Sequence, residues 1–397
     1  MVLIKVKQLV SAEKTPWASG DPVYILQDAA VVVKNGVVVD VGYWDVLKRR
    51  YSTEEVWDFG DSLLTPGLVD PHTHLLFAGS REDELERKLM GESYEEITRK
   101  GGGIYKTIRE TGNASTDQLK KILEKRLETV AKFGTTTVEV KTGYGLDPEE
   151  ELRLARVIHG VRSYVDVVST FLVHIPPQHG RKTYLKQVID VLPRAGTRYV
   201  DVFCDTVAFD VEETRTILKA ANALGYRLRL HADELAYIGC SDLVEELPID
   251  SLDHLLHTPP ENAEKMAKRG VVATLLPVTT LALRTQKKPP VDVLRRYKVP
   301  IAIGTDFSPN SWCLNMQTAM ELAVYLLGLT PLEALMGATA NAAYSLRLTD
   351  RGVIAPGKVA DLVVWDVPNY HWLAYEIGRN KTKAVIKRGA PIYLSSF

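Results

Sequence analysis

The chain has 397 residues, and this length predicts two or three domains unless a barrel of about 250 residues forms most of it. Hydrophobic residues make up 45% and charged residues 25% of the chain, which is ordinary for a soluble globular protein and excludes a disordered or collagen-like one. The 49 basic and 50 acidic residues leave a formal net charge of −1. The chain therefore has no overall attraction for nucleic acid or anionic membrane.

Both ends of the chain have the pattern of β-strands. Residues 1–60 contain segments rich in Val and Ile, and Asn35-Gly36 between two valine runs predicts a hairpin turn. The tail returns to this pattern in DLVVWD, KAVIKRG and PIYL, after a segment with turn-forming Gly and Pro residues. We expect residues 1–60 and 346–397 to fold together as a small β-sandwich domain.

The middle of the chain, residues 61–345, alternates short apolar runs with helix-like segments such as 211–224. Eight strand–helix units of this kind predict an α/β fold, a parallel (β/α)8 TIM-type barrel, because parallel strands buried on both faces are almost continuously apolar. The irregular segment 78–115 follows the first strand and predicts a long loop over the barrel. The eight runs are LVDPHTH (68–74), TTTVEVKT (135–142), DVVSTFLVH (166–174), YVDVFCD (199–205), RLRLHADE (227–234), SLDHLLH (251–257), VVATLLP (271–277) and VPIAIGTD (299–306).

The three cysteines, Cys204, Cys240 and Cys313, do not make a disulfide framework in a chain of this length. None stands in a C-x-x-C pair that would suit a thiolate zinc site. The N-terminus lacks the continuous apolar core of a signal peptide, and no run of about 18 apolar residues predicts a transmembrane helix. We therefore expect a protein of the reducing cytoplasm.

Polar side chains collect at the carboxyl ends of the predicted strands, where barrel enzymes place their catalytic groups. His72 and His74 end the first strand, and residues two apart on a strand point to the same face. His231 lies at the end of the fifth strand, His254 in the sixth and Asp306 at the end of the eighth. Imidazoles and a carboxylate suit Zn²⁺, with Fe²⁺ as the alternative, so the pattern predicts a metal site.

Several longer motifs resemble the amidohydrolase superfamily of metal-dependent hydrolases. They are PGLVDPHTHLLFAG, HADE, SLDHLLH, GTDFSPN and GVIAPGKVADLVVWD, and the resemblance extends over residues 60–390. Two further segments, RKLMGESYEEITRKGGGI and VKTGYGLDPEEELR, are similar to the hydrolases of this superfamily that act in histidine degradation. The resemblance implies opening of the 4-imidazolone-5-propanoate ring to N-formimidoyl-L-glutamate by a metal-activated water.

The resemblance also implies roles for particular residues. One divalent ion per chain would be bound by His72, His74, His231 and Asp306. Glu234 would handle the proton of the attacking water, and His254 would be the second catalytic residue. The substrate would be held by Arg81, Tyr144, His174 and Glu234, with the planar guanidinium of Arg81 on the substrate carboxylate.

The segment after Asp306 departs from the family pattern. The family usually has Asn-Pro-Gly followed by Ser or Thr at this point, whereas this chain has Ser308-Pro309-Asn310-Ser311. We keep Ser308, Asn310 and Ser311 as substrate-binding candidates by position. The departure concerns the fit of the substrate and leaves the metal ligands unchanged.

Other interpretations stay open at this point. Arg81 is followed by acidic residues and is alternatively part of a surface ion-pair cluster, and structural roles are the alternatives for Tyr144, His174, Glu234 and His254. Lys141, at the end of the second strand, is expected to be structural or supporting. The competing functions are another amidohydrolase, either a cyclic amidase or an aminopurine or pyrimidine deaminase, and a non-catalytic ligand-binding barrel. The resemblance implies a small-molecule substrate and a homodimer, with no nucleic acid or membrane partner.

Overall fold

The computed structural model describes residues 1–52, 54–92, 96–97, 100–177 and 179–395. Five residues of the motif RKLMGESYEEITRKGGGI therefore lie outside the described residues. Within the described part of the chain, no helix is both long enough and apolar enough to cross a membrane.

The N-terminal part of the chain forms five strands. They are β1 (Val2–Ala12), β2 (Val23–Lys34), β3 (Val37–Tyr43), β4 (Glu55–Asp58) and β5 (Leu63–Pro66). Asn35 and Gly36 join β2 to β3, and both have a positive φ, 51° and 78°. Two positive φ values are what a two-residue hairpin turn of the mirror-image type requires, so the predicted hairpin is confirmed.

Eight parallel strands in the middle of the chain form one sheet, paired in sequence order. They are β6 (Leu68–Asp70), β7 (Thr135–Lys141), β8 (Asp166–Val173), β9 (Tyr199–Cys204), β10 (Arg227–Ala232), β11 (Ile249–His254), β12 (Val272–Leu275) and β13 (Ile301–Ile303). The edges β13 and β6 meet beyond their ends, where Asp306 N–H donates to His72 C=O (3.0 Å) and His74 N–H donates to Phe307 C=O (2.9 Å). The predicted parallel (β/α)8 barrel is confirmed.

The first barrel strand is shorter than the sequence predicts. It ends at Asp70, so His72 and His74 lie on the segment beyond it. Pro71 has no N–H to donate to a ladder, which explains why the pairing stops there. The buried Asp70 carboxylate instead accepts from Thr305 N–H (3.1 Å) and from the Thr305 hydroxyl (2.5 Å), which fastens the first strand to the segment after β13.

Helices connect the barrel strands and cover the outside of the sheet. Several begin with a side-chain cap, as at Ser115, Asp147 and Asp210, each of which accepts from a main-chain N–H of the first turn. In the described residues the helices are α1 (Trp44–Arg50), α2 (Asp83–Leu89), α3 (Ile104–Asn113), α4 (Thr116–Lys132), α5 (Pro148–His159), α6 (Arg181–Ala195), α7 (Val211–Ala223), α8 (Asn262–Arg269), α9 (Pro277–Ala282), α10 (Val291–Arg296), α11 (Met316–Leu327), α12 (Pro331–Gly337), α13 (Ala340–Ser345) and α14 (Trp372–Tyr375), with a 3₁₀ turn at Cys240–Glu245. The segment 78–115 thus contains α2 and α3.

The C-terminal strands complete the small β domain. Strands β14 (Leu362–Trp365), β15 (Thr382–Lys387) and β16 (Ala390–Leu394) join β1 to β5 in one sheet of eight strands. Strand β14 pairs with β5, which in turn pairs with β1, so the two ends of the chain share one hydrogen-bonded network and one apolar core. The predicted fold class is confirmed, and the domain boundaries at residues 60 and 345 stay a prediction.

The cysteines differ from the expectation. Cys204, at the end of β9, forms a disulfide with Cys240 in the 3₁₀ turn, and Cys313 is free. The two Cα atoms lie 5.9 Å apart, within the range that a disulfide requires. A separation of 36 residues in the sequence carries no sign of this pairing, which the barrel brings about by placing the end of β9 next to the segment after β10.

A charged cluster fastens the C-terminal tail to the barrel. The carboxylate of Asp166, at the start of β8, accepts from Lys387 (2.8 Å), Arg351 (2.5 Å) and Arg388 (3.0 Å). Burial on its own would raise the pKa of Asp166, but the hydrogen bonds and charges of Lys387 and Arg351 outweigh it and lower the pKa to about 2.

We expect this cluster to make part of the stability depend on pH. A lowered pKa contributes stability that is fully present above the ordinary value of about 4 and is lost as the pH falls towards 2. Replacing Asp166 with asparagine should therefore lower the free energy of unfolding at neutral pH by about 1–3 kcal/mol and flatten its decline between pH 4 and pH 2. Denaturant titrations at several pH values test this, with the exposed Asp190→Asn as control. An unchanged acid profile in Asp166→Asn would refute it.

Candidate active site

Five side chains, which lie on or just after four of the barrel strands, converge at the carboxyl end of the barrel. Ligand atoms of His72, His74 and His231 lie within 4.8 Å of one another, and the same holds for His72, His254 and Asp306. The Nε2 atoms of His72 and His74 lie 3.5 Å and 3.3 Å from the same oxygen, Oδ1 of Asp306. The strand ends thus place the predicted ligands around one small volume, buried from solvent.

The orientation of His72 is fixed from behind. Its Nδ1 donates to the Asp253 carboxylate at 2.6 Å, which leaves Nε2 as the atom that faces Asp306. Asp253 is held in turn by Arg229 (2.9 Å) and by the Ser251 hydroxyl (2.5 Å), and all of these groups are buried. A carboxylate behind a ligating histidine sets both its tautomer and its ring orientation.

A second network lies behind His231. Its Nδ1 is 3.0 Å from Oδ2 of Asp201, and that oxygen also accepts from the Lys141 ammonium at 2.8 Å. Lys141 donates to Glu139 as well, and Glu139 accepts from the main-chain N–H of Thr73, which lies between His72 and His74. Burial alone would lower the pKa of Lys141, but Asp201 and Glu139 raise it, so Lys141 is a fixed cation that supports the site.

The donor set fits a divalent ion. Nε2 of His72, Nε2 of His231 and Oδ1 of Asp306 are buried and form no hydrogen bond within the described part of the chain. Burial, and after it the charge of Lys141, lower the pKa of His72, and burial lowers the pKa of His74 although Asp306 opposes it, so both rings are neutral at pH 7 as metal ligation requires. Burial would raise the pKa of Asp306, but the hydrogen bonds of His74 and Thr279 hold it far below its usual value, so the carboxylate is ionised.

Glu234 and His254 lie beside this cluster. Nε2 of His254 is 3.7 Å from Oε2 of Glu234, and both side chains are largely buried. Burial, and after it the charges of Asp306 and Asp205, raise the pKa of Glu234 well above its usual value. Burial lowers the pKa of His254 to about 3, so its ring is neutral and acts as an N–H donor or an acceptor rather than as a cation.

Strained backbone marks the same rim. Asp233, His254, Leu255 and Asp306 have positive φ values of 55°, 78°, 65° and 48°. Side chains other than glycine rarely adopt this conformation, and it persists only where the surrounding structure enforces it. Four residues with positive φ lie around the ligand cluster, and this supports a functional role for the segments that carry them.

Tyr144 and His174 form the wall next to His74. The ring centroid of His174 lies 5.4 Å from those of both His74 and Tyr144. Nδ1 of His174 is 3.0 Å from the Gly143 carbonyl oxygen, which can only accept, so the proton lies on Nδ1. Burial lowers the pKa of His174 to about 3, so the ring is neutral and its Nε2 is an acceptor.

Arg81 lies in the segment after β6, next to α2. Its Nε and Nη2 donate to Oε2 of Glu84 at 2.9 Å and 2.7 Å, and the pair is buried. Arg81 thus forms an ion pair, as the alternative interpretation of the sequence expected. The pair is buried, however, and does not belong to a surface cluster. Nη1 forms no hydrogen bond within the residues that the structure describes. Lys88 links this region to the segment after β13, since it lies 4.0 Å from Glu84 and donates to Asn310 at 3.1 Å.

The segment Ser308–Ser311 is held mainly by its own contacts. The Ser311 hydroxyl donates to the Asp306 carbonyl (2.5 Å) and lies 3.0 Å from the Ser308 hydroxyl. Asn310 is exposed, and its amide oxygen accepts from Lys88. The structure thus brings the predicted ligands, Glu234, His254, Tyr144 and His174 together, whereas the contacts described for Arg81 are with Glu84.

The supporting charges behind the ligands were not identified from the sequence. Glu139, Asp201, Arg229 and Asp253 lie within barrel strands and point inward. The signal was available, because TTTVEVKT and RLRLHADE carry charged residues at alternate positions, and the otherwise apolar YVDVFCD and SLDHLLH carry Asp201 and Asp253. Charges with a period of two in such a strand indicate a polar network inside the barrel.

A parallel barrel with three imidazoles and a carboxylate at its carboxyl rim defines the class of metal-dependent hydrolases. The amidohydrolase family profile matches residues 63–392. An imidazolonepropionase from Pyrobaculum arsenaticum is 72% identical over 392 residues, which cover 99% of each chain. An imidazolonepropionase from Deinococcus radiodurans is 40% identical over 381 residues, covering 94% of each chain. The chain therefore belongs to the amidohydrolase family and, within it, to the imidazolonepropionases.

Solved structures of more distant relatives share the fold. An adenosine deaminase from Xanthomonas campestris with bound zinc has a TM-score of 0.74 at 21% identity, covering 99% of this chain and 93% of that chain. Guanine deaminase from E. coli has a TM-score of 0.71 at 17% identity, covering all of both chains. At these identities the deaminase structures establish the barrel and do not favour deamination.

Proposed function

We propose that the protein opens the ring of 4-imidazolone-5-propanoate by hydrolysis, giving N-formimidoyl-L-glutamate in histidine degradation. The observation that carries this proposal is the convergence of His72, His74, His231 and Asp306 beside Glu234 and His254. The two imidazolonepropionases that are 72% and 40% identical over nearly the whole chain support the choice of substrate. Another cyclic amidase or a deaminase is not favoured, because no such activity is named for these relatives.

One divalent ion would be held by His72, His74, His231 and Asp306. Three imidazoles and one carboxylate suit Zn²⁺, and Fe²⁺ is the alternative. When bound, such an ion lowers the pKa of water towards 7 and polarises a carbonyl group. Asp253 and Asp201, behind His72 and His231, fix the ligating atoms towards the ion.

Glu234 would move the proton in the reaction. A carboxyl group whose pKa is raised well above its usual value is a stronger base, so it can accept a proton from the attacking water and return it to the ring nitrogen that leaves. His254, which is neutral and 3.7 Å from Glu234, would donate an N–H to the developing oxyanion. The amide C–N bond breaks as that nitrogen is protonated, so the proton taken from water is returned within one cycle.

The substrate carboxylate would be bound by Arg81, while Tyr144 and His174 line the ring. Glu84 takes the N–H of Nε and one N–H of Nη2, so the second N–H of Nη2 and both N–H groups of Nη1 remain for the substrate. Nε2 of His174 is an acceptor, which suits an N–H of the imidazolone ring. The positions of Ser308, Asn310 and Ser311 beside Asp306 support a role in closing this side of the site.

Replacing Arg81 with methionine is expected to lower kcat/KM for 4-imidazolone-5-propanoate by at least about tenfold, since a hydrogen bond to a charged group contributes roughly 1.5–3 kcal/mol. The loss should be much smaller for a ring substrate that lacks the carboxylate. Steady-state kinetics on both substrates test this. Arg87→Met is the matched control, because Arg87 pairs with Glu92 instead. Equal losses on both substrates would refute the carboxylate role of Arg81.

The surroundings of the enzyme are also proposals. We infer a cytoplasmic protein that acts on a small molecule without nucleic acid or membrane partners, and a homodimer in solution. Activity of the purified protein against a panel of imidazolonepropanoate, cyclic amides and aminopurines tests the choice of substrate. Turnover of an aminopurine with none of imidazolonepropanoate would overturn it.

A further inference from the structure

The loop between β7 and α5 carries Tyr144, and one buried side chain holds its main chain. The carboxylate of Glu151, in the first half of α5, accepts from the N–H groups of Gly143 (2.6 Å), Gly145 (2.6 Å) and Leu146 (3.0 Å). Glu151 is 3% exposed. Three main-chain donors thus point at two carboxylate oxygens, one of which accepts twice.

The backbone leaves this loop little freedom. Gly143 has a φ of 118°, and a Cβ at this position would lie 2.8 Å from the Leu172 side chain. A Cβ at Gly145 would lie 2.8 Å from the main-chain nitrogen of Glu151. Both glycines are therefore required for the close approach of the loop to its neighbours, and Glu151 supplies the acceptors that this approach needs.

The same loop sets two walls of the candidate site. Tyr144 packs between the rings of Phe77 (5.5 Å) and His174 (5.4 Å). The Gly143 carbonyl accepts from Nδ1 of His174, so the residue whose N–H binds Glu151 also fixes the orientation of His174. A shift of the loop would move both residues relative to His74.

We propose that Glu151 is a positioning residue for substrate recognition, which holds residues 143–146 so that Tyr144 and His174 face the substrate. This inference rests on the proposed function, since it takes Tyr144 and His174 as substrate contacts. A carboxylate is suited to the role because it only accepts, whereas a glutamine would offer one oxygen and turn an NH₂ group towards main-chain N–H donors. Burial, which outweighs these hydrogen bonds, raises the pKa of Glu151 to about 7, so the group is costly to keep in the interior.

The test compares Glu151→Gln with Glu149→Gln, whose side chain lies on the same helix and pairs with Arg194 at the surface. Glu151→Gln is expected to raise KM for 4-imidazolone-5-propanoate, and the Kd for N-formimidoyl-L-glutamate, by about tenfold or more, with kcat changed less and the metal content unchanged. Glu149→Gln should match the unmodified enzyme. Glu151→Asp keeps the carboxylate but has a side chain one methylene shorter, so its KM should lie between those of the unmodified enzyme and Glu151→Gln. This variant serves as the test if Glu151→Gln does not fold.

A double-mutant cycle with Tyr144→Phe separates positioning from a general structural role. If Glu151 acts through this loop, Glu151→Gln should raise KM less in the Tyr144→Phe background than in the unmodified enzyme. Unchanged KM and Kd in folded Glu151→Gln, full additivity with Tyr144→Phe, or loss of the metal would overturn the inference. An unmodified enzyme that does not turn over 4-imidazolone-5-propanoate would instead refute the proposed function.

Discussion

Replacing Glu234 with glutamine is expected to lower kcat by about 10²–10⁴, the usual contribution of a general acid–base group. Glutamine has nearly the same size and keeps an oxygen acceptor, but it cannot take a proton from water or return one to the leaving nitrogen. Because Glu234 is not among the predicted ligands, the variant should bind as much metal as the unmodified enzyme. Steady-state kinetics together with elemental analysis of the same preparations test both parts.

Two variants sharpen this result. Glu245→Gln, in the 3₁₀ turn that follows and paired with Lys265 at the surface, should leave kcat unchanged. His254→Ala should also lower kcat. If His254 alone transfers the proton, its replacement should lower kcat more than Glu234→Gln does. A near-normal kcat in Glu234→Gln would assign the proton transfer to His254, which lies 3.7 Å away.

The pH dependence follows from the raised pKa of Glu234. As the proton acceptor it must be ionised, so activity should rise with pH through its pKa in the complex. An ion held by the neighbouring ligands favours the ionised carboxylate and should therefore lower that pKa relative to the metal-free enzyme. Glu234→Gln is expected to lose this limb of the profile of kcat against pH.

The sequence predicted the parts of the structure that depend on local chemistry. Two positive φ values at Asn35 and Gly36 follow from the residues themselves, and the apolar runs of the barrel strands follow from burial on both faces. The positions of His72, His74, His231 and Asp306 at one rim follow from the rule that the carboxyl ends of parallel strands meet.

What the sequence did not predict depends on contacts between distant segments. The disulfide between Cys204 and Cys240, the clamp of Glu151 on residues 143–146 and the pairing of Arg81 with Glu84 arise only once loops are folded together. The end of the first strand at Asp70 is an exception, because Pro71 is a local signal against a continued ladder that the strand prediction did not use.

The charges inside the barrel hold the predicted metal ligands in position. Arg229 and Lys141 lie behind the histidines as cations, and Asp253 and Asp201 connect them to His72 and His231. Removing one member of a buried pair leaves an uncompensated charge, which costs about 3–5 kcal/mol of stability. The site is therefore built on groups whose loss affects the fold and the ligands together.

We expect one metal ion per chain, and His231→Ala should lose it. His72 contributes to both groupings of ligand atoms, and its Nδ1 is bonded to Asp253, so only Nε2 is available. Two ions, one in each grouping, would have to share that atom, and this favours a single ion. Without the ion, the transition state lacks several kcal/mol of charge stabilisation, so kcat/KM should fall by at least about 10³-fold.

His254→Ala is the matched comparison, because it removes an imidazole from the same cluster that is predicted to be catalytic rather than ligating. After dialysis His254→Ala should keep about one ion per chain, whereas His231→Ala should keep little. Added Zn²⁺ should raise the melting temperature of His254→Ala and leave that of His231→Ala unchanged. Asp253→Asn should weaken metal binding about 10–100-fold, because His72 loses the carboxylate that orients it. The assignment would be contradicted by two ions per chain or by full activity in metal-free protein. If His231→Ala kept the ion and His254→Ala lost it, the roles of the two histidines would be exchanged.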